Sequence, residues 1–439
     1  MRKLILLLLL FNSFVKAQDL PIILDERSRA EVVNEILADR FTNLLPTLMR
    51  REGFDMWILI SREYHEDPVM KTMLPAEWIN ARRRTVMVFY DNGKEVEQLA
   101  IARYDVGLLK SSWNINVYPN QWDALIETIK AKNPKKIGID FSANYAHADG
   151  LSHYEYDQFM TKIPTEFLPR ILSAEKLAVA WLETRTNKEM ILYEHIARIS
   201  HMILRQGFSN QVIQPGVTTT DDVVWWYRQR ITSLGLDTWF HPTVDIQKAD
   251  TSRFDHLRTF SKRPEMEIIQ PGDLLHVDFG ITYLRLNSDM QEHAYVLKPG
   301  ETEVPEYLQK GFSQANRLQD ILTESFNSGK SGNDILANAL AQASKEGING
   351  SIYTHPIGYH GHAAGPTIGM WDNQGKTLGA GDYPLHAQTA FSIELNASVA
   401  IPEWNNKMIR FMLEQDGFYD GKTFRYIDGR QTKIYAIQR

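Results

Sequence analysis

The sequence contains no cysteine in its 439 residues, and this absence restricts both its stabilisation and its chemistry. Disulfide bonds cannot contribute to stability, so the fold must depend on the burial of apolar side chains. Catalysis by a thiolate and zinc sites built from cysteine are excluded as well. Any metal ion must therefore be held by histidine, aspartate or glutamate.

Positive charge is also scarce. The chain has 48 Lys and Arg residues against 54 Asp and Glu residues, a formal net charge of −6. No basic surface is expected, which argues against nucleic acid or an anionic membrane as a partner. Hydrophobic residues make up 43% and charged residues 23%, as in a soluble globular protein, and the length allows two or three domains.

The hydrophobic run at the N-terminus, residues 4–11, is too short for a membrane-spanning helix, which needs about 20 residues. It follows the basic start Met1-Arg2-Lys3 and precedes the small-residue pattern Val15-Lys16-Ala17. This arrangement is typical of a cleaved signal peptide over residues 1–17. We therefore expect a periplasmic or secreted protein that has no membrane contact after processing.

Residues 25–175 read as an α/β domain. A helical period covers 31–52, strand-like runs cover 56–60, 85–90 and 136–140, and a short helix is expected over 125–131. No GxGxxG, P-loop or GxSxG pattern occurs in this half. We expect this domain to shape a neighbouring site or an oligomer contact.

A second domain is expected over 180–439. It should open with a helix from Lys188 to about Gln206, capped by Asn187, and a second helix beginning near 218–221. Further along, the chain becomes rich in strand patterns, and acidic residues begin to fall inside apolar runs.

Two of these acidic residues are aspartates. Asp278 interrupts the apolar run 274–281, and Asp289 follows eleven positions later, before a second strand-like run. On two strands joined by a turn, the two side chains can point to the same side. Two like charges held that close need a cation between them or a strongly raised pKa. The pair indicates half of a metal site, although either residue alone could be a cap or a solvated turn.

Two glutamates and a histidine complete the pattern. Glu394 lies inside the strand-like run 390–395, Glu414 ends the run 409–414, and His362 lies in a loop rich in glycine. Burying an unpaired carboxylate is costly in free energy, whereas two divalent ions would neutralise the charge of four carboxylates. An oxygen-rich set with one imidazole suits Mn, Fe, Co or Zn.

The order of these five residues resembles the pita-bread metallopeptidases, which include methionine aminopeptidase, aminopeptidase P, prolidase and the metal-free relative creatinase. The resemblance covers nearly the whole mature chain. It implies an α+β protein in which a creatinase-type α/β N-terminal domain precedes a pita-bread catalytic domain. It also implies a homodimer.

The resemblance implies a role for each residue. Asp278 binds one metal ion, Asp289 and Glu414 bridge two ions, and His362 binds the other ion. Glu394 is a ligand that also carries a proton to the leaving amine. The implied reaction is hydrolysis of short peptides by a hydroxide that bridges the ions. We expect two divalent ions, manganese first, with Zn, Co or Fe as alternatives.

The histidine pattern departs from the family. Members usually carry a second histidine seven positions after the ligand histidine, and counted from His362 that position is Gly369. His355 or His360 could supply this group from another direction, and both are candidate catalytic residues. His360 is also the alternative ligand, although the glycines on both sides of His362 favour His362.

Two further positions concern the substrate. Proline-directed members carry arginine two residues before the last glutamate, where this chain has Met412. An upstream histidine lines the substrate pocket in the family, and the candidates here are His256 and His241. The sequence leaves open whether specificity for Xaa-Pro bonds is kept.

We therefore expect an exported dinuclear-metal aminopeptidase or dipeptidase that cleaves short peptides at Xaa-Pro bonds. One alternative is a catalytically inactive pita-bread protein that serves as a binding module, and the presence of all five ligand positions argues against it. Another is a peptidase of the same fold without proline specificity. A creatinase-type C–N hydrolase is a third, but that chemistry does not need four carboxylates at a metal site.

Overall fold

The structure, a computed structural model, describes residues 21–250 and 267–439. The expected signal peptide and the candidate His256 lie outside these described residues. Within the two described ranges, no helix is both long enough and apolar enough to cross a membrane.

The first part of the chain forms a six-stranded sheet with the strand order β4-β3-β2-β1-β5-β6. Its strands are β1 (Met56–Arg62), β2 (Arg84–Asp91), β3 (Val96–Ala100), β4 (Lys110–Ser111), β5 (Ile137–Ile139) and β6 (Ile171–Ser173). The helices are α1 (Glu26–Asp39), α2 (Leu45–Glu52), α3 (Pro68–Met73), α4 (Gln121–Lys132), α5 (His153–Lys162) and α6 (Glu175–Glu183).

Both faces of this sheet are covered, and β1 shows why its sequence is a continuous apolar run. Trp57 and Leu59 pack into the core that contains residues of α1, α2, α3 and α6. Ile58 and Ile60 point the other way, into the core formed with α4 and α5. A strand covered on both sides needs apolar residues at consecutive positions. The helix expected over 31–52 is interrupted by a π-helical turn at Arg40–Leu44.

The described residues of the remainder, up to 250 and from 267 to 439, combine four long helices with several small sheets. The helices are α7 (Asn187–Gly207), α8 (Thr220–Ser233), α9 (Glu306–Glu324) and α10 (Gly332–Lys345). The strands are β7 (Thr243–Gln247), β8 (Leu274–Phe279), β9 (Thr282–Tyr283), β10 (Leu286–Asn287), β11 (Met290–Val296), β12 (Gly350–Ile352), β13 (His355–Pro356), β14 (Thr389–Ser392), β15 (Leu395–Ile401), β16 (Lys407–Leu413), β17 (Asp416–Tyr419), β18 (Phe424–Tyr426) and β19 (Tyr435–Ile437). The sheets have the orders β19-β11-β8-β7, β12-β15-β16, β13-β14-β17-β18 and β10-β9.

Helix α7 begins one residue earlier than expected. Its N-cap is Thr186 and not Asn187: the Thr186 hydroxyl accepts a hydrogen bond from the Glu189 backbone N–H, at 3.2 Å. The Glu189 carboxylate in turn accepts from the backbone N–H of Thr186. This reciprocal capping box satisfies two donors, more than Asn187 could satisfy by itself.

Strand β8 separates the core from the candidate site. Leu275, Val277 and Phe279 pack into the core with α7 and α8. Because side chains alternate along a strand, His276 and Asp278 point to the opposite face. The polar residues of β8 therefore share one side of the sheet.

Residues of the first and second parts of the chain contact each other near this strand. The turn between β9 and β10 has left-handed backbone at Leu284 and Arg285, with φ of 52° and 66°. The Arg285 guanidinium donates hydrogen bonds to the carbonyls of Leu74, at 2.8 Å, and Pro75, at 3.3 Å. This contact holds the segment that follows α3 against the hairpin that connects the two aspartates.

Candidate active site

The aspartates lie on neighbouring antiparallel strands, as their spacing suggested. Asp278 of β8 pairs with Gln291 of β11, and Asp289 precedes that partner by two residues. Positions two apart on a strand share a face, so Asp278, Asp289 and Gln291 all point to the same side. The hairpin β9–β10 supplies the turn that reverses the chain between the aspartates.

The glutamates lie at the adjoining ends of another antiparallel pair. Glu394 immediately precedes β15 and Glu414 immediately follows β16, and the first residue of β15, Leu395, pairs with the last residue of β16, Leu413. A bridge between Gln291 and Glu414 joins this pair to β11, with Gln291 N–H donating to the Glu414 carbonyl at 3.0 Å. The two hairpins therefore meet at one point, and all four acids converge there.

The imidazole at that point belongs to His355. It lies on β13, which pairs with β14 at Ser392, and it is buried. Its Nε2 is 3.6 Å from Glu414 Oε1, 3.8 Å from Asp289 Oδ2 and 4.0 Å from Glu394 Oε2. No other histidine of the described residues has a ring nitrogen within 4.0 Å of the carboxylate oxygens of these acids.

Three overlapping groups of side chains offer ligand atoms within 4.8 Å of one another. They are Asp278 with Asp289 and Glu414, His355 with Glu394 and Glu414, and Asp289 with His355 and His362. Two groups share Glu414, two share Asp289, and two share His355. Such sharing is the arrangement expected for neighbouring cation positions with common ligands.

The hydrogen-bonding state of these atoms fits divalent cations. Asp278 Oδ1, Asp289 Oδ1 and His355 Nε2 are buried atoms without a hydrogen-bond partner in the part of the chain that the structure describes. A buried polar atom without a partner is costly, and a cation would remove that cost for all three. The donor set of carboxylates and imidazole matches Mn, Fe, Co or Zn.

Charge repulsion supports the same conclusion. Burial and the neighbouring Glu414 raise the pKa of Asp278 and of Asp289 well above the usual range. Burial and the same neighbour also raise the pKa of Glu394. Burial opposes ionisation of Glu414 too, but the His355 imidazole and hydrogen bonds from Ser392 and Gln291 outweigh it and lower its pKa. Four carboxylates in contact need positive charge to ionise together.

The other candidate histidines lie further out. His362 is exposed, and its ring centre is 4.7 Å from that of His355. The His362 ring nevertheless packs against the protein, and this desolvation, with His355 as a neighbour, lowers its pKa to about 4. His360 stacks near His147 of the first part of the chain, with ring centres 4.4 Å apart, and burial lowers its pKa to about 3. His360 is therefore not among the groups that surround the shared point.

His241 belongs to a different contact. Its Nδ1 lies 3.0 Å from the Arg228 guanidinium, and its ring contacts Trp225. The cavity described below does not include it among its lining residues. Its predicted role in binding substrate stays a prediction.

A cavity of about 850 Å³ opens beside His362. Both parts of the chain contribute to its wall: the first provides Lys71, Trp78 and His147, and the second provides Trp239, Arg285 and His362. Aromatic surfaces with a few polar groups are typical of a site for a small organic ligand. The cavity thus lies directly next to the cluster of acids.

These features agree with the comparison to known families. The model of metallopeptidase family M24 matches residues 192–421, just over half of the chain. The chain belongs to metallopeptidase family M24. The match covers Asp278, Asp289, His355, Glu394 and Glu414, so the family region contains all the convergent residues.

Solved structures resemble the M24 chain over most of its length. The X-Pro aminopeptidase from Thermotoga maritima MSB8 has a TM-score of 0.61 at 14% identity, covering 89% of this chain and 99% of its own. The Xaa-Pro dipeptidase from Bacillus anthracis has 0.57 at 15% identity, covering 94% and 100%. The prolidase from Pyrococcus furiosus has 0.55 at 14%, covering 88% and 100%. No curated protein sequence matches the chain.

These findings confirm the predicted family, the α+β class with a pita-bread domain, and a metal-dependent peptidase. The structure also changes the count along the histidine loop. His362 lies seven positions after His355. If His355 is the ligand histidine, the second histidine of the family is therefore present as His362, whereas counting from His362 ended at Gly369. This spacing was visible in the sequence, but the glycines around His362 favoured His362 as the metal ligand.

Sequence reasoning missed three residues that border the candidate ligands. Gln291 donates hydrogen bonds to both glutamates, and His276 lies behind Gln291. Arg410, two residues before Met412 on the same face of β16, has Glu394 and Asp245 in its electrostatic surroundings. The alternation of β8, β11 and β16 could have placed all three on the site face.

Proposed function

We propose that this M24 protein is an exported exopeptidase that uses two divalent metal ions to hydrolyse short peptides, with proline at the scissile bond. The observation that carries the proposal is the convergence of four carboxylates and His355 on one point beside a cavity of peptide size. The printed names of the X-Pro aminopeptidase, Xaa-Pro dipeptidase and prolidase neighbours support the substrate class.

Five residues would hold the ions: Asp278, Asp289, His355, Glu394 and Glu414. Here His355 takes the ligand role that the sequence reading assigned to His362, because among the described histidines only His355 lies in ion-pair range of three of the acids. When bound, the ions would supply a water of lowered pKa and polarise the peptide carbonyl.

Three side chains would transfer protons, bind the peptide carbonyl and line the cavity. Glu394 is partly exposed, so it can accept the proton of the attacking water and pass it to the leaving nitrogen. His362 lies between His355 and the cavity, where its ring can donate a hydrogen bond to the peptide carbonyl oxygen. Trp239, whose ring centre is 5.1 Å from that of His362, forms the adjacent apolar wall.

Specificity for Xaa-Pro does not require arginine at position 412. Arg410 points to the same face of β16 as Glu414, and its guanidinium lies in the field of Glu394. A cation at this place can serve the function that the family gives to the arginine nearer the last glutamate.

Location and assembly are also part of the proposal. The basic start and short hydrophobic run support cleavage after Ala17 and export to the periplasm or beyond. The family resemblance supports a homodimer. N-terminal sequencing of the exported protein and light scattering of the purified protein test these two statements.

The main experiment is a peptide panel on protein stripped with a chelator and refilled with Mn, Zn, Co or Fe. Xaa-Pro dipeptides and Xaa-Pro-Yaa tripeptides are compared with matched peptides that carry alanine in place of proline. We expect metal-dependent cleavage of the proline peptides only. Equal cleavage of both sets would remove the proline specificity, and absence of metal uptake would favour a binding module.

A further inference from the structure

Gln291 lies in the middle of the acid cluster. It is buried, with 5% of its surface exposed, and it pairs across the sheet with Asp278. Its Nε2 donates to Glu394 Oε1 at 3.0 Å and to Glu414 Oε2 at 2.7 Å. An amide NH₂ has two hydrogens, so these two carboxylates use both of them.

The opposite side of the amide is held by His276. Its Nε2 lies 2.9 Å from Gln291 Oε1, so Nε2 carries the hydrogen and the amide oxygen accepts it. Asp245 Oδ2 lies 3.4 Å from the other ring nitrogen, and His276 is itself buried. A flipped amide would turn its oxygen toward two carboxylates and its hydrogens toward a donor. The orientation of Gln291 is therefore determined.

This orientation decides which carboxylate oxygens remain for other partners. Gln291 occupies Oε1 of Glu394 and Oε2 of Glu414. The other two oxygens, Glu394 Oε2 and Glu414 Oε1, lie 4.0 and 3.6 Å from His355 Nε2, and Glu414 Oε1 also accepts a hydrogen bond from the Ser392 hydroxyl at 2.6 Å. The amide thus turns one oxygen of each glutamate toward the point that His355 shares.

We infer that Gln291, held by His276, is a positioning residue that aims Glu394 and Glu414 at the metal ions and thereby sets metal affinity. A neutral amide suits this place because it donates two hydrogen bonds without adding charge. A lysine would compete with the cations, and a carboxylate would add to the repulsion. Partners behind metal ligands typically change metal affinity by about 10–100-fold.

This inference rests on the proposed function, and the test separates the two. Chelator-stripped wild type is titrated with Mn and with Zn by calorimetry, next to Gln291→Met, which keeps the length of the side chain and removes both donors. Gln431→Met is the control, because Gln431 is equally buried and its amide bonds only to the backbone of His293.

We expect Gln291→Met to weaken binding of the metal ions by about 10–100-fold. Gln431→Met should lower the melting temperature but leave metal affinity unchanged. His276→Phe, which frees the amide to rotate, should give a smaller loss than Gln291→Met and keeps the test valid if Gln291→Met does not fold.

Three outcomes are informative. Metal affinity within twofold of wild type for both Gln291→Met and His276→Phe would overturn the inference and leave the proposed function intact. An equal loss in Gln431→Met would assign the effect to general destabilisation and overturn the inference too. Wild type that takes up no metal would overturn the proposed function itself.

Discussion

In the part of the chain that the structure describes, two clusters of buried acids avoid the cost of buried charge in different ways. In the first part of the chain, Asp67 and Asp140 are both almost fully buried. In the second part, Asp289 and Glu414 are buried, with Asp278 and Glu394 only partly exposed beside them. The first group has two members, and the second has the four candidate ligands, with the buried Asp245 and Asp416 as further acidic neighbours.

The pair needs only a proton. Asp67 Oδ1 accepts from the backbone N–H groups of Val69 and Met70, and Asp140 Oδ1 accepts from the Trp57 indole at 2.7 Å. Their Oδ2 atoms have no other hydrogen-bond partner among the described residues, and one proton between the two carboxyls satisfies both. Burial raises the pKa of Asp67 to about 6 and that of Asp140 well above its usual range.

A single shared proton cannot satisfy the larger group. Its unpartnered atoms include the imidazole Nε2 of His355 as well as carboxylate oxygens, and they point at a shared space. The comparison shows that a buried acid is not in itself a metal signal. Shared geometry with an imidazole and several partnerless atoms is the signal.

The largest expected effect is on Asp289. Asp289→Ala should reduce turnover by at least about 10³-fold, because it removes a carboxylate common to two ligand groups. The fold should remain, since the change also removes like-charge repulsion. Turnover, metal stoichiometry and circular dichroism are measured together.

The matched control is Asp67→Asn in the other acid group. Its side-chain oxygen can still cap α3, so turnover and metal content should stay near wild type. Loss of metal in Asp67→Asn, or normal turnover in Asp289→Ala, would break the distinction between the two groups.

The second-largest expected effect distinguishes the role of His355 in metal binding from the role of His362 in catalysis. His355→Ala should lose metal affinity together with activity, because His355 Nε2 faces three of the acids. His362→Ala should keep its metal content while kcat falls by about 100-fold, the usual loss for one donor to a developing oxyanion. Metal analysis beside steady-state kinetics distinguishes them. The reverse pattern would restore His362 as the ligand.

The smallest effect concerns stability and pH. The folded pKa of Asp67, about 6, lies above its ordinary value of 3.8, so the folded state binds more protons between these values. The Asp67 carboxyl therefore stabilises the fold at low pH, and this contribution is lost as pH rises from about 3.8 through 6. At about 1.36 kcal/mol per pKa unit, the loss is about 3 kcal/mol.

Asp140→Asn should flatten this dependence, because an amide can donate to Asp67 without a titrating proton. Urea unfolding of metal-loaded protein from pH 4 to 7.5 measures it, with Asp123→Asn on the exposed side of α4 as the control. Parallel stability curves for wild type and Asp140→Asn would show that the two carboxyls do not share a proton.

Much of the site could be read from the sequence. Asp278 and Glu394 interrupt apolar runs, Asp289 and Glu414 adjoin them, and each is in the observed cluster. The choice between histidines could not be read in the same way. His355 and His362 lie only seven residues apart, and the pairing of β13 with β14 turns His355 inward.

The local sequence determined the strand character around the acids, the helix positions within a few residues, and the identity of four candidate ligands, because each depends on the order of apolar and polar residues along a short stretch. The tertiary structure decided which imidazole faces the acids and that Gln291, His276 and Arg410 surround them. The contacts of Gln291 with the two glutamates join residues more than a hundred positions apart, and no local pattern contains the register that brings such residues together.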